Sequence, residues 1–243
     1  MPPRNSPARV PTAESSGMNE INLLARYPRA RRNVKARLGH KAENRRIAMQ
    51  FGREYFDGTR EQGYGGYRYD GRWLPIAEDI VRHFRLKPGD RVLDIGCAKG
   101  FLVKDLMAAC PGVEAFGLDI SQYAVTHCEP GVVGRLQVGN AVQLPFADRS
   151  FRCVVSINTI HNLERGDCVK ALREIERLAP GMGYVQVDAY RNADERRVFE
   201  DWMLTAKTYG TPEDWLAILR EAGYSGDYYW TILELDPEWT ITS

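Results

Sequence analysis

From Leu74 onward the chain alternates between two hydrophobic periods. Pro75–Leu86 places Ile76, Ile80, Val81 and Phe84 on one face at helical spacing, and Pro88-Gly89-Asp90 turns the chain. Short apolar runs follow at Arg91–Ile95, Glu114–Leu118, Arg135–Val138, Phe151–Ile157, Tyr184–Ala189 and Asp227–Leu235, and their lengths predict six strands. Helical patterns fall between them, from the loop after Ile95 through Ala109, then over Ser121–His127, Glu164–Leu178, Asp194–Leu204 and Pro212–Ala222. Strands alternating with helices in this way predict an α/β fold on a mainly parallel sheet.

Ahead of Leu74 the pattern lapses. Residues 1–17 are rich in Pro, Ser and Ala with no apolar period, and are expected to form a disordered tail. Residues 18–73 read as a separate unit, partly helical to about Phe56. A block from Gly63 to Trp73 then interleaves four glycines with Tyr64, Tyr67, Tyr69 and Trp73. So many glycines exclude a stable helix, and the aromatics suggest a loop that packs, either structurally or as a lid over residues 74–243.

Charge sharpens this division. The chain is nearly neutral at +1, yet Arg26–Arg46 holds nine basic residues (Arg26, Arg29, Arg31, Arg32, Lys35, Arg37, Lys41, Arg45, Arg46) against Glu43 alone. A basic arm of net +8 therefore precedes a body that is net acidic. Such a run is either a solvated face or an anchor for nucleic acid. The composition, 44% hydrophobic and 27% charged, is that of a globular chain. No apolar run approaches a membrane span and no apolar leader is visible, so a cytoplasmic protein without membrane contact is expected. The five cysteines form no C-x-x-C pair, and the acids show no metal-ligand spacing, so neither a disulfide framework nor a metal is expected.

The densest chemical signal is Val92-Leu93-Asp94-Ile95-Gly96-Cys97-Ala98-Lys99-Gly100. A buried strand ends in an acid, and small residues at 96, 98 and 100 lead into a helix whose first N–H groups are unpaired, so a ligand can approach the backbone closely. A dinucleotide fingerprint would place its third glycine at position 101, which is Phe. Asp119 follows 19 residues after Gly100, at the end of the second strand, where a carboxylate can accept both hydroxyls of a ribose. Gly139-Asn140-Ala141 and Asn158-Thr159-Ile160-His161 close the third and fourth strands, at the edge where parallel sheets bind ligands.

These motifs, with Gly117–Ser121, Leu144–Phe146 and Arg173–Gly181, resemble the class I S-adenosylmethionine-dependent methyltransferases over roughly residues 74–235. The resemblance implies a Rossmann-like, seven-stranded, mostly parallel sheet with an antiparallel last strand and helices on both faces. It implies S-adenosylmethionine as cofactor and S-adenosylhomocysteine as product. Carried over by position, Asp94 and Gly96 frame the methionine part, Ala98 and Gly100 complete the loop, and Asp119 holds the ribose. Ile120 packs on the adenine, whose edge meets Asn140 and Ala141. Ala98 stands where many members have Gly, and Asn140 replaces the more usual acid.

The expected reaction is in-line methyl transfer to an oxygen or nitrogen of a small molecule. The Tyr64–Trp73 block and Tyr184–Trp230 are similar to a bacterial subgroup acting on sugars or related metabolites. His161, the only histidine at a sheet carboxyl edge, is the candidate general base or acceptor-orienting group, with Asn158 beside it. Tyr67, Tyr69, Tyr190 and Arg191 are candidate substrate contacts, and Lys207 follows the same edge. The alternative is an RNA methyltransferase anchored through Arg26–Arg46. Against base methylation, the fourth strand lacks a Pro-Pro-aromatic ending to stack an extruded base, and no Pro-Cys nucleophile follows it.

Overall fold

Six strands run in one direction through the centre of the computed structural model, which describes residues 17–28 and 32–233. They are β1 (Arg91–Ile95), β2 (Glu114–Asp119), β3 (Leu136–Val138), β4 (Cys153–Ile157), β5 (Gly183–Asp188) and β6 (Asp227–Thr231). Their order is β3-β2-β1-β4-β5-β6, every neighbouring pair parallel. The order reverses between β1 and β4, so the crevice beyond their carboxyl ends is the switch point where ligands enter such sheets.

Alternation along each strand feeds two apolar layers. Leu93, Ile95 and Val154 join one, covered by α7 (Arg165–Leu178) and α9 (Pro212–Ala222) with Leu172, Ile175 and the fully buried Trp215. Val92, Cys153 and Val155 join the other, covered by α4 (Leu74–Phe84) and α5 (Phe101–Ala109) with Ile76, Ile80 and Leu106. The remaining helices are α1 (Lys35–Leu38), α2 (Lys41–Ala48) and α3 (Arg53–Asp57) in the arm, α6 (Gln122–Thr126) after β2, and α8 (Ala193–Trp202) after β5.

The Rossmann-like α/β architecture is as expected, and the six strands are those the hydrophobic pattern predicts. The seventh, antiparallel strand is not among the described residues. β6 returns parallel to β5 and pairs with it directly, because α8, α9 and their connections supply the long crossover that a parallel return needs. Glu234 and Leu235, which the pattern assigned to this last strand, lie outside the described residues, as do residues 1–16 of the expected tail. On the outer edge of β6 the backbone of Asn19–Ile21 adds a short parallel bridge through Tyr228, so the arm begins as part of the sheet.

Among the described residues no helix is long and apolar enough to cross a membrane, and no group of three or more His, Cys, Asp or Glu is placed to hold a metal. Cys97, Cys110, Cys153 and Cys168 are buried free thiols, and burial pushes the Cys168 thiol up to about 11.

Candidate cofactor and acceptor site

The loop between β1 and α5 is held by backbone and carboxylate together. Gly96 has φ +80°, and a Cβ there would lie 1.9 Å from Thr159 Oγ1, so only glycine fits between this loop and the end of β4. Ala98 adopts φ +50° and Gly100 φ +79° before α5 begins. Asp119 accepts from Ala98 N–H at 2.7 Å through one oxygen and from Ser121 N–H at 2.8 Å through the other. Each oxygen retains a lone pair, so this buried carboxylate pins the loop and still has acceptor capacity toward a ribose. Burial raises its pKa, opposed by the two N–H donors.

Asp94 is different. It is 5% exposed at the β1 end, accepts no hydrogen bond from any described residue, and its pKa is pushed up to about 8 by burial and then by the Asp119 charge. A buried carboxyl in this state is complementary to a cation that would restore its charge. Beside Asp119, Ile120 is 55% exposed and Val138 37% exposed, an apolar shelf at the ends of β2 and β3. Ala141 is buried at the foot of this shelf, and Asn140, exposed, turns its Oδ1 onto Val142 N–H at 3.1 Å. The eight expected cofactor residues thus lie at or just beyond the carboxyl ends of the adjacent strands β1, β2 and β3.

The arm closes over this loop. Phe51 carbonyl accepts from Ser121 Oγ, Asp57 binds Lys99 at 2.6 Å and Tyr123 OH at 2.7 Å, and Phe56 packs with Ala98 and Ala124. Tyr67 stacks on Phe101 with centroids 4.6 Å apart and 16° between planes, and hangs from Phe56 by its backbone. Gly63 fits under Tyr55 only because it lacks a side chain. Tyr69 reaches the outer flank of α5, donating to Asp105 at 2.6 Å beneath Lys104. The glycine-tyrosine block is therefore a packed strap across the cofactor loop, and Tyr69's hydroxyl is committed to Asp105.

At the ends of β4 and β5 the acceptor-side candidates meet. Asn158 is exposed in the left-handed region with φ +53° and takes a hydrogen bond from Thr231 Oγ1 at 2.9 Å. His161 is 4% exposed, with Nδ1 accepting the Asp188 backbone N–H at 3.1 Å and Nε2 lying 3.5 Å from Asp188 Oδ2. A backbone N–H can only donate, so Nδ1 must carry the lone pair and Nε2 the hydrogen. Burial lowers the imidazole pKa and Asp188 opposes that, in keeping with the neutral ring that acceptance at Nδ1 requires.

Asp188 is the residue sequence reasoning did not single out. It ends β5, and its side chain is 23% exposed beside the ring. Its signal was available, as an acid closing a strand at the sheet's carboxyl edge, the same pattern that marked Asp94 and Asp119. Tyr190 sits further along, its ring 6.5 Å from Tyr209, and Arg191 bridges to Glu195 at 2.6 Å at the start of α8. Lys207 donates its backbone N–H to the His161 carbonyl and lies 3.6 Å from Glu164.

Comparison with known proteins agrees with this geometry. Residues 92–183 match the sequence model of the methyltransferase domain family. The chain is 29% identical over 151 residues to a demethylmenaquinone methyltransferase of Symbiobacterium thermophilum, covering 58% of this chain and 59% of that protein. It is 34% identical over 87 residues to squalene methyltransferase 1 of Botryococcus braunii, covering 33% of this chain and 23% of that protein. Among solved structures, the YcgJ protein of Bacillus subtilis is similar at 22% identity and TM-score 0.47, covering 63% of this chain and 68% of that one. The chain thus spans about three-fifths or less of these curated relatives' lengths. Over residues 92–183 the chain is thus similar to methyltransferase domains, on a Rossmann-like α/β fold.

Proposed function

We propose that the protein transfers a methyl group from S-adenosylmethionine to an oxygen or nitrogen of a small molecule. The observation that carries this reading is the convergence, at one switch point, of the Gly96–Gly100 loop, an unpartnered buried Asp94 and the Asp188–His161 pair. The residues present fit the cofactor. Asp94 would face its positively charged methionine portion, Asp119 the ribose, and Ile120 with Ala141 and Asn140 the adenine. When bound, the cofactor supplies a methyl group on a positively charged sulfur, so the chain has only to align a nucleophile and exclude water.

Alignment falls to the other half of the site. Asp188 presents a carboxylate to the acceptor's hydroxyl or amine and takes up the proton as the new bond to carbon forms. His161 holds that carboxylate through Nε2 and the strand end through Nδ1, which makes it a positioning residue. The strap over Ala98–Phe101 shields the loop from water. The names of relatives point to small acceptors, and several print carbon methylation, as in the botryococcene C-methyltransferase of Botryococcus braunii. Those likenesses leave the acceptor atom to this chain's own residues, and a proton-accepting carboxylate suits oxygen or nitrogen.

The basic arm supports a small acceptor over RNA. Arg37 donates to the carbonyls of Arg60, Gly63 and Trp202, Lys41 to those of Glu200 and Asp201, and Arg45 to that of Ala206. Arg26 binds Asp79 and Glu78, and Arg46 binds Glu43. Arg37, Lys41 and Arg45 are thus committed to backbone carbonyls and Arg26 and Arg46 to carboxylates, which leaves less of the run's charge to track a phosphate backbone. Arg29 and Arg31 lie outside the described residues.

The test is to incubate the protein with methyl-labelled S-adenosylmethionine and an extract of its source, then separate small-molecule, nuclease-sensitive and protease-sensitive products. Label in the small-molecule fraction is expected. Label in nuclease-sensitive material would overturn the reading in favour of nucleic acid.

A further inference from the structure

Among the described residues, two cations of the arm that are not fully committed, Arg32 and Arg60, stand together. Trp202, the last residue of α8, is surrounded by three guanidinium groups, with Arg37 at 3.5 Å, Arg60 at 5.6 Å and Arg32 at 5.9 Å from the ring centroid. Arg37 is structural, its N–H groups filled by three carbonyls. Arg60 gives only Nη1 to the Tyr64 carbonyl. Among the described residues Arg32 has no hydrogen-bond partner and no carboxylate within 4 Å, although it is half-buried.

Like charges gathered around one indole repel, and the arrangement desolvates Arg32 and Arg37 as well. Burial lowers the pKa of Arg32, and Arg60 lowers it further, while Asp188 opposes both. The acids that these groups feel are Asp188 and Glu61, neither close enough for an ion pair. Surplus guanidinium charge with free, forked N–H donors over an aromatic floor is the arrangement that receives a planar carboxylate or a phosphate. The charge of Asp188 acts on Arg32, so an anion held at the cluster would lie on the same side of the molecule as the carboxylate read above as facing the methyl acceptor.

Resting on the methyl-transfer reading, we infer that Arg32 and Arg60, above Trp202, bind an anionic group of the acceptor, a carboxylate or phosphate, while Asp188 meets its nucleophile. The acceptor is then a small organic acid or phosphoester whose anionic end lies on the arm and whose reacting end lies on the sheet. The arm's positive charge then acts in substrate selection through these two residues, while Arg37 and Lys41 hold the arm on α8.

The experiment uses the full chain and two probes, inorganic phosphate and malonate, titrated calorimetrically into wild type, the Arg32→Gln/Arg60→Gln double variant and the corresponding double Lys variant. Saturable binding to wild type is expected, at least tenfold weaker in the Gln variant and partly kept in the Lys variant. Phosphate binding without malonate binding identifies a phosphoester acceptor, and the reverse a carboxylate. Equal binding by wild type and the Gln variant, or none to wild type, overturns the site. S-adenosylmethionine titrated into the same proteins should bind all three alike, which reports folding of the variants. Its failure to bind wild type would sink the methyl-transfer reading while leaving the anion measurement interpretable. Finally, labelled product from the extract assay should be retained by an anion exchanger, and an uncharged product overturns the assignment to the acceptor.

Discussion

The two halves of the crevice are built in opposite ways. On the β1–β2 side, function rests on backbone and contiguous motif, because the Gly96–Gly100 loop, Asp119 and the shelf of Ile120 come from two adjacent strand ends. On the β4–β5 side, side chains arrive from distant segments. Arg32 and Arg60 come from the arm, His161 and Asp188 from two strand ends, and Trp202 from α8. The match to the methyltransferase domain family begins at Val92 and ends at Gly183, and so covers the first half and omits the arm, Asp188 and Trp202. A site made of backbone constrains local sequence, whereas a site made of converging side chains only requires that the fold deliver them. On the proposed reading, the first half would meet the cofactor and the second, of which the match includes Asn158 and His161, would meet the acceptor.

The largest effect should separate the halves cleanly. Gly96→Ala forces a Cβ to 1.9 Å from Thr159 Oγ1 at φ +80°, so both loop and β4 end must shift. Cofactor affinity should fall at least about 100-fold and stability by about 2–3 kcal/mol, read by calorimetry and thermal unfolding. Unaltered affinity would mean the loop does not cradle the ligand. On the other side, Asp188→Asn should lower kcat by roughly 10²–10⁴, the usual worth of a proton acceptor, with cofactor affinity unchanged. His161→Ala should cost less, about tenfold, and shift the pH profile of kcat as Asp188 loses its partner. An unchanged rate and profile would show that the ring is only packing.

The same division explains what could be read in advance. Strand periodicity fixed six strands because burial on both faces leaves unbroken apolar runs. Asp94, Asp119 and the small-residue loop were legible because their spacing is local. The family resemblance added a seventh strand that the described residues do not contain, and the pattern alone had counted six. For Tyr69, expected to face the substrate, nothing in its own neighbourhood reveals that Asp105, on α5, takes its hydroxyl. Arg37 read as one more charge in a basic run. Only the fold shows its guanidinium buried against Trp202, with burial bringing its pKa down to about 10.

Asp94 offers a comparison within the cofactor half. Its pKa near 8 lies well above that of an unfolded aspartate, so the cofactor-free fold favours the protonated acid. The sign follows directly: its favourable contribution is fully present below about pH 4 and is lost as pH rises through 8. A bound cation reverses the preference and draws off the proton. Cofactor affinity should accordingly rise with pH between 5.5 and 7.5, by up to about tenfold per unit, with close to one proton released on binding. Calorimetry in two buffers of different ionisation enthalpy counts that proton. Asp94→Asn should flatten the dependence, and a wild-type affinity independent of pH would remove Asp94 from the cation's surroundings.

The smallest effect probes why this loop has alanine where its family resemblance implies glycine. Ala98 sits at φ +50°, a left-handed conformation that costs a residue with a Cβ about 1–2 kcal/mol. Its methyl is buried with Phe56 and Ala124, a contact worth about 0.8 kcal/mol. Glycine would relieve the strain, lose the methyl and add about 0.5–1 kcal/mol of unfolded-state freedom. The terms nearly cancel, so Ala98→Gly should change stability by less than about 1 kcal/mol in denaturant unfolding. Its effect should appear in the strap, because Phe56 touches the loop through this methyl. Amide exchange across α3 and Tyr64–Tyr67 should quicken while that of β1 stays unchanged. If the strap's exchange does not move, Ala98 does not couple arm to cofactor loop, and the ties of Asp57 to Lys99 and Tyr123 hold the two together without it.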